Sequence, residues 1–441
     1  MSDWRAALGA RLVTPEVAVA RVRSGDLVRL AIGQVPTTLT AALAARRDEL
    51  QGVRVLQGAT GFPQAWMDSG PGWDEHIRYV TDYATVLARP CLETRRGDFA
   101  ITDYAIGSKV QSDGRRDGFA ADVFMAPVSE PDAEGRVHVG WGPWHSERLL
   151  RAARLGIAEV TRGILPVRGD TLALADFDLV IESRDEPIEI PFAYPEPMGE
   201  RKDVTDAVGA AVAALVRDGD TIQVGTGTLS SCMGSYLGGK RDLGIDSEIL
   251  VPSVIDLVKR GVATGRHKTH HPGVATGSLI TPGCDKETCR DDPRVALYDI
   301  EWVNNLPRIA GIRNLVAINQ AIAIDLTGQV AAESLGPVMF SGPGGQLMWT
   351  MGALFAPGGR AIQVLPSTAR GGTVSRIVAQ LEPGTIVTVP RTFVDFVVTE
   401  YGTASLQGLT QRERALALIE LAHPSFRERL RAEARARFWP D

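Results

Sequence analysis

The sequence predicts an α/β protein made of two related domains with mostly parallel sheets. One observation is an internal repeat: at an ungapped offset of 194 residues, 22–48 aligns with 216–242. Eight pairs are identical, namely Val22/Val216, Arg23/Arg217, Gly25/Gly219, Asp26/Asp220, Gly33/Gly227, Leu43/Leu237, Arg47/Arg241 and Asp48/Asp242. A second is that both copies read in one order: a helix ending at a Gly-Asp turn, an apolar strand (LVRLAI, TIQVGT), a glycine-containing loop and another helix. A third is that both continue into a further apolar strand, VRVLQG after Gly52 and SEILVP after Asp246. Strands alternating with helices build a parallel sheet covered on both faces.

Between the copies, PFAYPEPMGERKDV (191–204) carries three prolines and a charge cluster. Such a stretch between periodic regions reads as a linker. The expected domains are therefore 1–200 and 201–441, the second carrying the candidate nucleophile. Further strands are expected at 121–128 (ADVFMAPV), 178–183 (DLVIES), 315–326 (LVAINQAIAIDL), 361–366 (AIQVLP) and 385–390 (TIVTVP). The chain ends in apolar residues at helical spacing, with Pro424 at a helix-initiating position.

Composition narrows the function. The 441 residues are 44% hydrophobic, enough to bury large cores, and 47 basic against 53 acidic residues leave a net charge of −6 without a basic block. Nucleic acid is an unlikely partner for such a chain. No apolar stretch approaches the ~18 residues a membrane span needs, so a cytoplasmic location is expected. The four cysteines (Cys91, Cys232, Cys284, Cys289) are too few and scattered for a disulfide framework. Cys284 and Cys289 frame CDKETC, whose four-residue gap suits zinc poorly. It reads as a surface loop with free thiols, and no metal is expected.

Three features could carry chemistry. Glu248 is a lone carboxylate opening the apolar run EILV, where the first copy has Arg54. A solvated strand-end glutamate is the plain alternative. Two glycine-rich loops come next. VGTGTLSS (224–231) follows a strand and precedes a helix, so the amides around Gly225 and Gly227 could hold an oxyanion. FSGPGGQ (340–346) has Gly342, Gly344 and Gly345, which would let backbone approach a ligand closely; a ligand-free turn is equally consistent. Finally PSTARGGTVSRI (366–377) places Arg370 and Arg376 after a strand, a pairing that suits phosphate, though a solvated turn would look alike. P-loop, H-E-x-x-H, G-x-S-x-G and C-x-x-C patterns do not occur in the sequence.

These residues resemble the acetyl-CoA hydrolase/transferase family, which includes 4-hydroxybutyrate and butyrate:acetate CoA-transferases. The likeness runs along most of the chain, through ARLVTPEVAVARVRSGD, PVSEPDAEGRVHVG, GIDSEI, VNNLP, INQAIAIDLTGQVAAES, SGPGGQ, LPSTARGGTVSRI, VVTEYGTASLQG and RERALALIELAHPSFRE. The resemblance implies a CoA-transferase-like fold and makes Glu248, the glutamate of GIDSEI, the catalytic nucleophile. It assigns Gly342 to the active-site loop, Gly344, Gly345 and Gln346 to that loop and CoA binding, and Gly225 and Gly227 to a candidate oxyanion loop. With the arginine pattern, Arg370 and Arg376 complete the expected CoA contacts. The implied substrates are an acyl-CoA and a small carboxylic acid, with no tightly bound cofactor and a homodimeric assembly. A hydrolase using the same glutamate, or a non-catalytic CoA-binding protein, would share these motifs.

The departures concern the substrate. Val251, Pro252 and Ser253 stand where members often have a Ser-Asp-Gly turn, Thr226 separates Gly225 from Gly227, and Met348 with Trp349 follows Gln-Leu where aspartate is common. An acyl or acceptor pocket for a larger acid is expected, with Trp141 and Trp144 as wall or core residues.

Overall fold

A computed structural model describes residues 4–68, 70–102, 104–105, 121–184 and 202–440. The chain divides into two compact units: one contains 1–191, 278–280 and 289–302, the other 192–277, 281–288 and 303–441. Most of the expected linker, 191–201, lies outside the described residues.

Among the described residues the first unit is built on a seven-stranded parallel sheet. Its strands are β1 (Leu27–Leu30), β2 (Val53–Leu56), β3 (Ile77–Thr81), β4 (Asp98–Phe99), β5 (Val123–Val128), β6 (Leu155–Val160) and β7 (Leu179–Glu182), in the order β4-β3-β2-β1-β5-β6-β7. β5 is buried at every position, as a central parallel strand between two covered faces must be. The core clusters of this unit include one with Leu39, Leu43, Trp66 and Tyr79 and another with Phe124, Leu149 and Phe177.

The second unit repeats the plan. A six-stranded sheet contains β8 (Thr221–Val224), β9 (Gly244–Ile245), β10 (Leu315–Gln320), β11 (Arg360–Val364), β12 (Phe396–Thr399) and β13 (Gly402–Ser405), ordered β9-β8-β10-β11-β12-β13. All neighbours are parallel except the β12–β13 pair. Strand order reverses between β8 and β10, and such a switch point opens a crevice at the carboxyl ends of the strands. The helices here include α1 (Lys202–Leu215), α2 (Thr228–Cys232), α3 (Pro252–Lys259), α4 (Leu306–Ala310), α5 (Gln346–Phe355), α6 (Gln411–Leu421) and α7 (Pro424–Phe438). The last two pack on a cluster that includes Leu326, Leu365, Val397 and Leu418.

Four expectations change. In the first unit Leu27 pairs with Arg54, whereas in the second Thr221 pairs with Gly244, not with Glu248 as the repeat alignment implies. The sheet strand therefore comes four residues early, and SEILVP is not its second strand. The run 315–326 breaks after Gln320, and only Ala323–Asp325 resumes as strand, in a separate small sheet. Residues 385–387 form no strand; Ile386 donates its N–H to Ser334 Oγ, and only Val389 bridges, to Val330. CDKETC is not an exposed loop: Lys286–Asp291 is helical, and the free thiols of Cys284 and Cys289 are buried, that of Cys284 turned to the Leu250 carbonyl. Among the described residues, no helix is long and apolar enough to cross a membrane.

Candidate functional site

The site begins where β9 stops. Asp246 still donates its N–H to Ile222 O, and Ser247 ties back through its hydroxyl to the Val224 amide and carbonyl. Glu248 thus falls just beyond the carboxyl end of a parallel strand, where ligands gather in open α/β sheets. The displaced strand puts it there, because in the aligned register it would lie within the ladder.

Glu248 is 9% exposed. Its Oε2 accepts a 2.5 Å hydrogen bond from Asn304 Nδ2, and Asn304 Oδ1 in turn accepts from Trp349 Nε1 at 3.0 Å. Both of these partners are fully buried, at 1% and 0% exposure. The glycine loop closes over the carboxylate. A Cβ on Gly345 would fall 2.0 Å from Glu248 Oε2 and 2.6 Å from Asn304 Nδ2, and one on Gly344 would fall 3.7 Å from Oε1. Only a glycine backbone fits against the carboxylate at Gly345. The loop is braced from behind, with Phe340 and Ser341 donating N–H to Glu333 O and Ser341 Oγ donating to Ala332 O. Gly342 follows directly, and Gln346 opens α5 with its amide donating to Gln363 Oε1 at 2.7 Å.

Asn304 is positioned by its own surroundings. Asn305 caps α4 by accepting from the Arg308 N–H, with Pro307 in the first turn, so the buried Asn304 lies just outside the helix. Arg308 then reaches back, donating to Val303 O and, through Nη2, to both Asp246 oxygens at 2.8 and 2.7 Å. Lys268 completes this buried set, donating to Ile245 O, Val274 O and Thr276 Oγ1 with its Nζ 3.7 Å from Asp246. Burial pushes the Asp246 carboxyl up, but Lys268 and Arg308 outweigh it and hold it below its ordinary range. Burial lowers the Lys268 ammonium to about 8. Asp246 is two residues from Glu248, so one carboxylate anchors both the segment of Glu248 and the helix that follows Asn304. Charged pairs this well bonded fix geometry more than they add stability.

The other expected residues are placed as follows. Gly225 gives its N–H to Ile318 O at 2.8 Å, so that amide is committed to the sheet. Gly227 caps α2, and a Cβ there would meet Gln320 Oε1 at 2.3 Å, the oxygen that accepts from the Leu229 amide. Gln320 O also accepts from Gln346, at 3.4 Å, linking the two glycine loops. Arg370 and Arg376 belong to a hairpin of their own: Arg370 is exposed at its tip with φ 50°, and Arg376 Nε donates to Thr368 O. In the first unit, Trp144 is a core residue, 5% exposed and edge-on to Tyr104, while Trp141 lies over Gly33, where a Cβ would be 2.3 Å from its ring. Asn304 and the Asp246–Lys268–Arg308 set escaped residue-type reasoning. The double asparagine of VNNLP was the one available signal, since a single N-cap accounts for only Asn305. Among the described residues no group of three or more His, Cys, Asp or Glu is arranged to hold a metal ion.

A buried, oriented carboxylate against glycine backbone, at the strand ends of an α/β unit, has the parts that acyl-group chemistry uses. A family model described as the acetyl-CoA hydrolase/transferase C-terminal domain matches residues 286–434. The 4-hydroxybutyrate coenzyme A transferase of Clostridium kluyveri is 34% identical, over 99% of this chain and 100% of its own. The crystal structure of RipA from Yersinia pestis superposes with a TM-score of 0.87 at 31% identity, covering 98% of this chain and 99% of that one. A 4-hydroxybutyrate CoA-transferase structure from Porphyromonas gingivalis gives 0.75 at 28% identity, over 99% of this chain and 100% of that one. The chain belongs to the acetyl-CoA hydrolase/transferase family, among its CoA-transferases.

Proposed function

We propose that this enzyme moves CoA from an acyl-CoA donor to a carboxylate acceptor through a covalent glutamyl-CoA thioester on Glu248. The setting of Glu248 supports this most: it is buried, it accepts from Asn304 at 2.5 Å, and it lies against backbone that leaves no room for a side chain at Gly345. The ionised carboxylate attacks the acyl carbonyl, the C–S bond breaks, and CoA leaves as thiolate, giving an acyl-glutamyl anhydride. The thiolate adds to the glutamyl carbonyl. The anhydride C–O bond breaks, and the acid departs as carboxylate with the bonding pair, leaving the thioester. An acceptor carboxylate runs the steps in reverse, so no net proton or electron is exchanged.

Each addition places negative charge on a carbonyl oxygen, and one preorganised donor there is worth ~3 kcal/mol. Asn304 Nδ2 and the amides of Gly227, Gly342, Gly344 and Gly345 are the candidate donors; that of Gly225 is taken by Ile318 O. Gly344, Gly345, Gln346, Arg370 and Arg376 are the candidate CoA contacts, the arginines suiting its phosphates. Burial of Glu248 favours a carboxylate over water in resolving the thioester. The four free cysteines suit a reducing cytoplasm, and homodimeric assembly belongs to the same reading, to be checked by light scattering.

Incubation with acyl-CoA, borohydride reduction and peptide mass spectrometry should locate an adduct at Glu248, with exchange measured across acids from acetate to bulky ring carboxylates. Glu248→Ala should abolish adduct and exchange while retaining CoA binding. Steady CoA release without an acceptor would assign hydrolysis instead. A protein that binds CoA with neither adduct nor exchange across the panel would end the transferase reading.

A further inference from the structure

An asparagine can present either its carbonyl oxygen or its amino group, and the two are nearly the same size. At Asn304 the neighbours decide. An indole N–H can only donate, so Trp349 Nε1, 3.0 Å from Oδ1, holds the oxygen on its own side and leaves Nδ2 facing Glu248 Oε2. Ionised Glu248 favours this orientation too, but its charge disappears once the carboxylate is esterified. The indole stays as it is. Trp349 sits on α5, one turn after the glycine loop, with its backbone N–H donating to Gly345 O, and its ring Cδ1 would be 2.9 Å from a Cβ on Gly345. One helix therefore carries both the backbone that covers Glu248 and the group that orients its partner.

We propose that Trp349 is a positioning residue. Its indole N–H fixes the Asn304 carboxamide with Nδ2 toward the 248 side chain whatever charge that side chain carries, so the donor is in place when thiolate or acceptor attacks the esterified glutamate. Donation from the indole also polarises the amide, making its N–H a stronger donor. This rests on the reading of Glu248 as nucleophile. If that reading is right, loss of the indole N–H should slow the steps after acylation more than the first attack, because only in the later steps has Glu248 lost the charge that holds the amide.

The test is Trp349→Phe and Asn304→Ala, singly and together, in the full-length enzyme. Trp349→Phe should lower kcat by roughly 10- to 100-fold, the scale of a slight misplacement in a catalytic constellation. KM for acyl-CoA should fall with it, so that kcat/KM moves by less than ~2-fold, as when a step after acylation becomes limiting. The trapped Glu248 adduct should accumulate to a larger fraction of the enzyme during turnover than in the wild type. On the Asn304→Ala background the same substitution should change kcat by less than ~2-fold, since coupled residues are not additive. If Trp349→Phe does not fold, the benzothienyl analogue of tryptophan at 349 replaces N–H by sulfur without changing shape. Wild-type kcat in either donor-less protein, or an equal loss with and without Asn304, overturns the proposal. Absence of any adduct in the wild type instead overturns the nucleophile reading on which it stands.

Discussion

Gly345 has room for a hydrogen and nothing larger on its carboxylate side. The methyl of Gly345→Ala would meet Glu248 Oε2 at 2.0 Å, Asn304 Nδ2 at 2.6 Å and the Trp349 ring at 2.9 Å. Real side chains do not approach so closely, so the carboxylate, the amide or the loop must yield. Each alternative displaces the Glu248 carboxylate or Asn304, which donates to it. Exchange should fall by about 100-fold or more, the cost of a ~1 Å misplacement, and by more than any loss of affinity at this candidate CoA contact. Turnover measured beside calorimetric CoA titration checks this, and an alanine variant with near-normal turnover would show that the loop does not seat the carboxylate. The glycines themselves were legible in the sequence, because adjacent glycines before a helix signal close approach. Asn304 was not, because its bond to Glu248 spans 56 residues and depends on Arg308 reaching Asp246.

At the scale of elements, short helices and strand ends are set by single carboxylates. In the first unit Asp299 accepts the Glu301 N–H at the start of the helix Ile300–Val303, while its own N–H goes to Asp170. Burial, with Glu301 and Asp170 nearby, raises its carboxyl to about 7. A raised acid favours the folded state while protonated, so its contribution is complete below the ordinary value of 3.8 and lost as pH climbs through about 7. Asn at 299 keeps the cap and never charges. Asp299→Asn should therefore be near neutral at pH 4 and more stable than wild type by about 1–3 kcal/mol above pH 7, after allowance for partial exposure. Denaturant titrations at several pH values test it, and a pH-independent difference would contradict it. The repeat revealed the strand–loop–helix order of both units, but not the four-residue advance of β9. Periodicity gives the same weight to GID and EILV, whereas the Asp246–Arg308–Lys268 pairing, which holds the chain just past β9, is tertiary.

For the whole molecule, the consequence is that chain order and compact units do not coincide. The first unit takes in 278–280 and 289–302 from the second half of the sequence. These returning segments bond to it through backbone: Leu297 N–H to Arg168 O at 2.8 Å, Asp170 N–H to Leu297 O at 2.9 Å, and Ile280 N–H to Trp141 O at 2.9 Å. Gly169 lies so close to Leu297 that a Cβ would sit 1.8 Å from its carbonyl oxygen. Glu301 pairs with Arg148 at 2.8 Å and lies 3.6 Å from the buried His145 ring, whose basicity burial depresses. A repeat-based cut at residue 200 removes all of these at once. Unsatisfied buried polar groups cost about 1–3 kcal/mol each, against a typical domain stability of about 5–15 kcal/mol. A fragment of residues 1–200 should therefore unfold at much lower denaturant than the same unit within the full chain, or fail to show a cooperative transition. Adding a peptide covering 275–302 should restore part of the loss, because its backbone resupplies the missing partners at 168, 170 and 141. Cooperative unfolding of the bare fragment at the full-chain midpoint would mean that the returning segments decorate the first unit and do not complete it.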